Sequence, residues 1–172
     1  MQQPGLPNRR LSSTISLMEI LRFHGIVPFG SIPDEKLEYS VVAARHEGKW
    51  VCVRLKGRSD WCFPGGGRED GETMEENARR ELFEETGAGE YHLWPLGVYG
   101  VDHRRRDSDG AEHPERISWG GLYGAEISAF NDIPAEFEIA ERRYFDKFPL
   151  DAARFPHIMP GMMEWLEENM IL

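Results

Sequence analysis

Between Gly66 and Ala88 the chain concentrates side chains able to do chemistry. Glu81, Glu84 and Glu85 stand at i, i+3 and i+4, a spacing that puts three carboxylates on one face of a helix. Carboxylates so placed repel one another, so such a face either spreads them into water or shares a cation among them. Hard divalent ions such as Mg²⁺ take oxygen ligands and keep several waters, which suits a partial carboxylate cage that faces a phosphate. Taken alone, the three glutamates fit a solvated acidic face as well as a metal site. Just upstream, Pro64-Gly65-Gly66-Gly67 offers a backbone to which other groups can come close, because glycine carries no Cβ.

A helix must carry those glutamates, and its signals are present. Thr73 followed by Glu76 forms the capping-box pattern, in which each side chain satisfies a free amide of the first turn. Glu72, Glu75 and Glu76 suit the positive end of the helix dipole. Ala78 and Leu82, four apart, are placed to face a core, and Gly87 is a natural stop. The pattern predicts a helix over 74–86.

Counted from Gly66, the chain reads five residues, Glu72, seven residues, then Arg80-Glu81-Leu82-Phe83-Glu84-Glu85-Thr86-Gly87-Ala88. This resembles the Nudix box, G-x5-E-x7-R-E-U-x-E-E-x-G-U, where U is a bulky aliphatic residue. Ala88 alone departs, being small at a position that packs the core. The resemblance implies that Glu81, Glu84 and Glu85 hold Mg²⁺ (or Mn²⁺), helped by a backbone carbonyl near Gly66. It implies that Arg80 orients or neutralises the glutamates and that Glu72 ties the loop to the helix. Members of the family often carry a further acidic ligand or general base ahead of an aromatic strand. Glu138, ahead of RRYFD, is the first choice, with Glu141 second and Glu136 third. The catalytic set is therefore Glu84, Glu85, Glu81, Arg80 and Glu138. The activity implied is metal-dependent hydrolysis of a diphosphate linkage in a nucleoside di- or triphosphate, with an oxidised nucleotide among the candidates. The runs RHEGKWVCVRLKGRSDWCFPGG and FPHIMPGMMEWL resemble bacterial members of the 8-oxo-dGTP diphosphatase-like type. Two alternatives are removal of pyrophosphate from an RNA 5′ end and a non-catalytic ligand-sensing module of the same fold.

The implied architecture is α/β, the Nudix fold, with a mixed β-sheet sandwiched between helices. The rest of the chain agrees with it. Segments 39–45 and 50–55 flank the turn signal Glu47-Gly48 and read as strands, as do 92–102 and 117–127. The charged span 103–116 reads as a long loop, 137–146 as a loop running into a strand, and 159–169 as a closing helix. Residues 1–17, polar with two prolines, read as a loose extension ahead of a single domain over 18–172.

Other residues carry weaker signals. Arg104 and Arg105 are placed to grip a polyphosphate, or to balance Asp102, Asp107 and Asp109 in a solvated loop. Trp61 and Tyr123 are placed to stack on a base, or to pack the core. No histidine has a metal-ligand spacing. Cys52 and Cys62 lack a CxxC pattern and read as buried thiols. A formal charge of −10, from 30 acidic and 20 basic residues, argues against stable nucleic-acid binding, which relies on clustered Lys and Arg. The expected partner is a small nucleotide; family members often pair, so a homodimer is a further expectation. With no run near the ~20 apolar residues of a membrane helix and no secretory pattern, a cytoplasmic protein without a membrane partner is expected.

Overall fold

The computed structural model describes residues 18–133 and 135–170, so the expected extension over 1–17 lies outside the described residues. Seven strands form one mixed sheet: β1 (Met18–Val27), β2 (Leu37–His46), β3 (Lys49–Leu55), β4 (Gly65–Gly67), β5 (Ala88–Arg106), β6 (Glu112–Phe130) and β7 (Ile139–Phe145). The order across the sheet is β1-β5-β6-β2-β3-β7, with β4 paired to β2. The β2–β6 pairing is parallel and the others are antiparallel.

One irregularity in this sheet builds the site. β2 and β3 pair only at their hairpin end, Arg45 with Trp50 and His46 with Lys49, and then part. The segment 61–67 fills the gap. On one side Cys62 exchanges backbone hydrogen bonds with Val53 (3.1 and 2.9 Å), and on the other the Val42 amide donates to the Pro64 carbonyl (2.9 Å). Gly65–Gly67 then continues as β4 against Tyr39–Val41 of β2. The split leaves few backbone groups unpaired, because the inserted segment answers both exposed edges.

Two helices cover opposite faces. Helix α1 (Met74–Thr86) buries Met74, Ala78 and Leu82 against Val42, Val51, Val98 and Ile127. Helix α2 (Met159–Asn169) buries Met159, Met162, Met163 and Leu166 against Trp50, Phe63, Tyr99 and Leu122. The α1 bounds are those that the sequence predicts. Thr73 Oγ1 accepts from the Glu76 amide (3.2 Å), the Thr73 amide donates to Glu76 Oε2 (2.8 Å), and Gly87 ends the helix with a left-handed φ of 72°. No helix among the described residues is long and apolar enough to cross a membrane.

Two elements correct the sequence reading. The span 103–116 is not a long loop: β5 and β6 run on to Arg106 and from Glu112, leaving a short turn over 107–111. Asp107 Oδ1 closes that turn by accepting from the amides of Asp109 (3.0 Å) and Ala111 (2.9 Å). Ion pairs across strands, Arg105–Glu115 (3.2 Å), Arg106–Glu112 (2.7 Å) and Arg22–Glu112 (2.9 Å), replace the apolar alternation that strand recognition relies on. The second is β1, which pairs with β5 along its length and bulges at His24, between Phe23 and Gly25. Its mixed run MEILRFHGIV shows no clean period of two.

The α1 interface sets a test. Leu82 is fully buried and Phe83 is 40% exposed. Denaturant unfolding of Leu82→Ala is expected to show a loss of about 2–5 kcal/mol. Phe83→Ala is expected to change stability by only about 0.5 kcal/mol. Equal losses would mean that α1 does not present this face to the sheet.

Candidate active site

The carboxylates of α1 meet β4 at very short range. The Gly65 amide donates to Glu85 Oε2 (2.8 Å). A Cβ on Gly66 would fall 2.5 Å from Glu81 Oε1, so only glycine admits the carboxylate there. Asn77, fully buried on α1, donates through Nδ2 to the Gly67 carbonyl (2.9 Å) and anchors the other end of the strand.

Arg80 ties the cluster together. Its Nε and Nη2 donate to the two oxygens of Glu72 (2.6 and 3.1 Å), and Nη2 also reaches the Gly67 carbonyl (2.9 Å). Its Nη1 donates to Glu81 Oε1 (2.8 Å) and Glu84 Oε2 (3.3 Å). A planar, always-charged guanidinium suits this fork better than a lysine would. The glutamates respond differently to their settings. The Arg80 guanidinium and the Glu69 amide hold the Glu72 carboxyl down at about 2. Burial pushes Glu85 up to about 8, against the pull of the Gly65 amide, with the negative charge of Glu81 adding to the rise. Burial also raises Glu81, which Arg80 partly offsets.

Such a set is short of positive charge. Glu81 is buried, Glu84 and Glu85 are half-buried, and among the described residues the guanidinium hydrogen-bonded to Glu81 and Glu84 is that of Arg80. Among the described residues no three acidic, His or Cys side chains converge on a single ion position, and Arg80 Nη1 bridges Glu81 and Glu84. The chemistry of the donors nevertheless fits a hard divalent cation: oxygen-only, crowded, one carboxyl pushed towards neutrality, and beside backbone that a phosphate can approach.

The structure brings together Gly66, Glu72, Arg80, Glu81, Glu84 and Glu85; among the described residues no hydrogen bond or ion pair joins the other sequence candidates to these glutamates. Trp61 is buried on the α2 side, its ring 5.2 Å from that of Phe145. Tyr123 is buried on the α1 side, 5.3 Å from the ring of Phe29. Arg104 pairs with Asp102 (2.7 Å) and Arg105 with Glu115 (3.2 Å) in the hairpin. Glu138 and Glu136 are exposed ahead of β7 and, among the described residues, make no hydrogen bond or ion pair with α1. Glu141 is gripped by Arg54 (2.9 Å) and Arg143 (2.5 Å), which hold its carboxyl below the usual range. Both cysteines are buried free thiols, and burial pushes Cys62 up to about 12. Sequence reasoning missed the cleft that opens beside β4, lined by Tyr39, Tyr99, His103, Ser118, Phe155 and Met159. It joins residues of β2, β5, β6 and α2, and no local pattern marks it.

Carboxylates on a helix face are thus braced by an arginine against a glycine strand, in a mixed sheet between two helices. The NUDIX domain family matches residues 34–166, and the chain belongs to this family; it is a Nudix hydrolase. The chain is 28% identical over 148 residues to the mitochondrial Nudix hydrolase 13 of Arabidopsis thaliana, covering 83% of this chain and 71% of that protein. It is 40% identical over 53 residues to an RNA pyrophosphohydrolase of Shewanella baltica, covering 31% of this chain and 30% of that protein. Among solved structures, that of a mutant of the Bacillus subtilis pyrophosphohydrolase BsRppH matches with a TM-score of 0.64 at 24% identity. That match covers 86% of this chain and 90% of the other, and at that identity it shows the shared fold.

The Glu72–Arg80 pair yields a pH prediction. A carboxyl at about 2 in the folded protein, against an ordinary 4.5, stabilises the fold above about 4.5, and that contribution fades as pH falls towards 2. Urea unfolding is expected to find Glu72→Gln less stable than the parent at neutral pH, with the gap closing over that acid window. A gap that stays constant with pH would assign the loss to packing rather than to the ion pair.

Proposed function

We propose that this Nudix hydrolase cleaves a phosphoanhydride bond of a nucleoside di- or triphosphate with the help of Mg²⁺, releasing a nucleoside monophosphate. Canonical and oxidised nucleoside triphosphates are the leading substrates. One observation carries the reading: carboxylates crowded against Gly65–Gly67 with Arg80 as their counter-charge, beside an aromatic cleft wide enough for a base. The family generally uses a divalent metal. Glu81, Glu84 and Glu85 would hold it, with the carbonyl of Gly66 or Gly67 alongside. When bound, Mg²⁺ supplies positive charge to the phosphates and makes water more acidic.

The chain's own groups do the rest. Gly65–Gly67 lets the diphosphate lie against backbone without steric hindrance. Arg80, fixed through Glu72 and the Gly67 carbonyl, orients Glu81 and Glu84 and limits their mutual repulsion. Glu138, free of arginine partners among the described residues, is the candidate to take the proton from water. Glu141 is the weaker base, because Arg54 and Arg143 stabilise its charged form.

A second reading, pyrophosphate removal from an RNA 5′ end, is favoured by the similarity to the Shewanella baltica protein. Against it stand the net charge of −10 and the pairing of the hairpin arginines with Glu112 and Glu115, which leaves little free positive surface for a phosphate backbone.

Pyrophosphate release, measured with Mg²⁺ over a panel of nucleoside triphosphates and a short 5′-triphosphorylated RNA, separates the two readings. Faster kcat/KM on free nucleotides is expected; preference for the RNA would install the second reading, and no turnover of either would defeat both. Glu84→Gln and Glu85→Gln are each expected to lower kcat by about a hundredfold or more while circular dichroism stays unchanged. In steady-state kinetics Glu138→Gln is expected to slow the reaction more than Glu141→Gln, and the reverse order would move the base to Glu141.

A further inference from the structure

Helix α1 meets an electrostatic difficulty at the end where its carboxylates lie. A helix C-terminus carries roughly half a negative charge, and cations rather than anions are favoured there. Yet the last turn of α1 holds Glu84 and Glu85 and no basic residue. Arg80 donates to Glu81 and Glu84, and among the described residues no guanidinium is hydrogen-bonded to Glu85, which takes the Gly65 amide.

The same turn must find partners for carbonyls that have none inside the helix. The Phe83 carbonyl accepts from the Gly87 amide (2.7 Å), and the Leu82 carbonyl from the Thr86 hydroxyl. The Gly87 carbonyl accepts from the Asn131 amide (2.6 Å), which joins this corner to the end of β6. Thr86 is fully buried, so its carbonyl has no recourse to water. Its partner is Nη1 of Arg142, which reaches it from β7.

The neighbours of Arg142 show what sets it apart. Glu141, just before it, is held by Arg54 (2.9 Å) and Arg143 (2.5 Å). Arg142 makes no ion pair among the described residues, although Asp132 and Glu141 line the same surface hollow. Its guanidinium lies instead 3.9 Å from the centre of the Phe130 ring, with the Tyr144 ring at 6.0 Å. A cation over a ring face is attracted to it, the more so where burial thins the water. Phe130 is in turn the register partner of Ala88, the residue after the helix stop. Arg142 is thus fixed against the corner at which α1 ends, with one N–H on the helix terminus.

Chain connectivity carries this contact to the acidic face, because Thr86 directly follows Glu85. A terminal turn opens more easily than the body of a helix, and losing a carbonyl partner favours that opening. Opening would draw Glu84 away from Arg80 and Glu85 away from the Gly65 amide. Metal-holding side chains depend on such outer contacts for their orientation. The charge of Arg142 acting at a distance has the opposite consequence: a positive group repels a cation bound nearby, so its removal would tighten binding. The two roles differ in sign.

We propose that Arg142 is a positioning residue for the metal-holding carboxylates: seated on the Phe130 ring, it takes the Thr86 carbonyl, closes the last turn of α1 and so fixes Glu84 and Glu85 where they can share a divalent cation. The inference rests on the reading of Glu81, Glu84 and Glu85 as the metal ligands. It adds a group on β7 that touches neither metal nor substrate and acts through the helix backbone.

Binding of Mn²⁺ to the full chain, read from the paramagnetic resonance signal of the free ion, tests this without turnover. Arg142→Met is expected to bind Mn²⁺ about tenfold more weakly than the parent, the scale for loss of an outer contact to a metal ligand. Arg142→Lys is expected to fall between the two, since an ammonium keeps a donor and a charge but loses the planar stack. Leu166→Ala, which loosens the α2 core, is expected to lose stability and keep its Mn²⁺ affinity. In hydrogen exchange the Gly87 amide is expected to lose protection in Arg142→Met while the Ala78 amide keeps it. Unchanged or tighter Mn²⁺ binding by Arg142→Met, with the parent binding normally, overturns the inference and leaves the metal reading intact. So does a Leu166→Ala loss as large as that of Arg142→Met, or an Arg142→Lys no better than Arg142→Met. A folded parent that binds no Mn²⁺ defeats the metal reading and this inference with it.

Discussion

The Arg80 guanidinium is the constraint on which the site depends. Five polar contacts, two to Glu72 and one each to the Gly67 carbonyl, Glu81 and Glu84, fasten the glycine strand, the first turn of α1 and the acidic face to one another. Three carboxylates within one helical turn repel, and burial of Glu81 and Glu85 raises the cost of ionising them. A single fixed positive charge among them lets the helix form with its acidic face turned inward. The opposed shifts of Glu72 and Glu85 record the same balance: one carboxyl lies at the arginine and is held down, the other lies away from it and is pushed up.

The sheet makes that arrangement possible. Because β2 and β3 separate after their hairpin, the segment 61–67 enters the sheet and ends as β4 directly beneath Glu81 and Glu85. On the α1 side of this insertion lies the acidic cluster; beside it, toward α2, lies the aromatic cleft. A phosphate and an apolar ring demand opposite environments, and a strand of three glycines is thin enough to separate them while bringing them within reach of one molecule.

Both faces of the sheet are covered, so strength comes from apolar burial while the polar groups are concentrated at the split. Helix α1 contributes Ala78 and Leu82 to one core, and α2 contributes Met162 and Leu166 to the other. The long β5–β6 hairpin projects beyond these cores. There charge pairs across strands, centred on Glu112 with Arg22 and Arg106, do the work that apolar side chains do elsewhere. That substitution is why residues 103–116 read as a loop: recognition of a strand by alternation detects half-buried surface, and these strands bury little of it.

By itself the sequence determined α1, its capping box, its glycine stop and the acidic face, because each rests on contacts within one or two helical turns or on offsets from Gly66 to Ala88. It also determined the family, since the box holds its residues at those offsets. Only the tertiary structure decided what Arg80 touches, which residues bond to the glutamates, and that a cleft exists. Trp61 and Tyr123 had the right chemistry for a base, yet apolar burial claims both. Tyr39 and Ser118, which do line the cleft, come together across 79 residues. Their pairing follows from strand order and register, which the sum of many nonlocal contacts sets and no local spacing encodes.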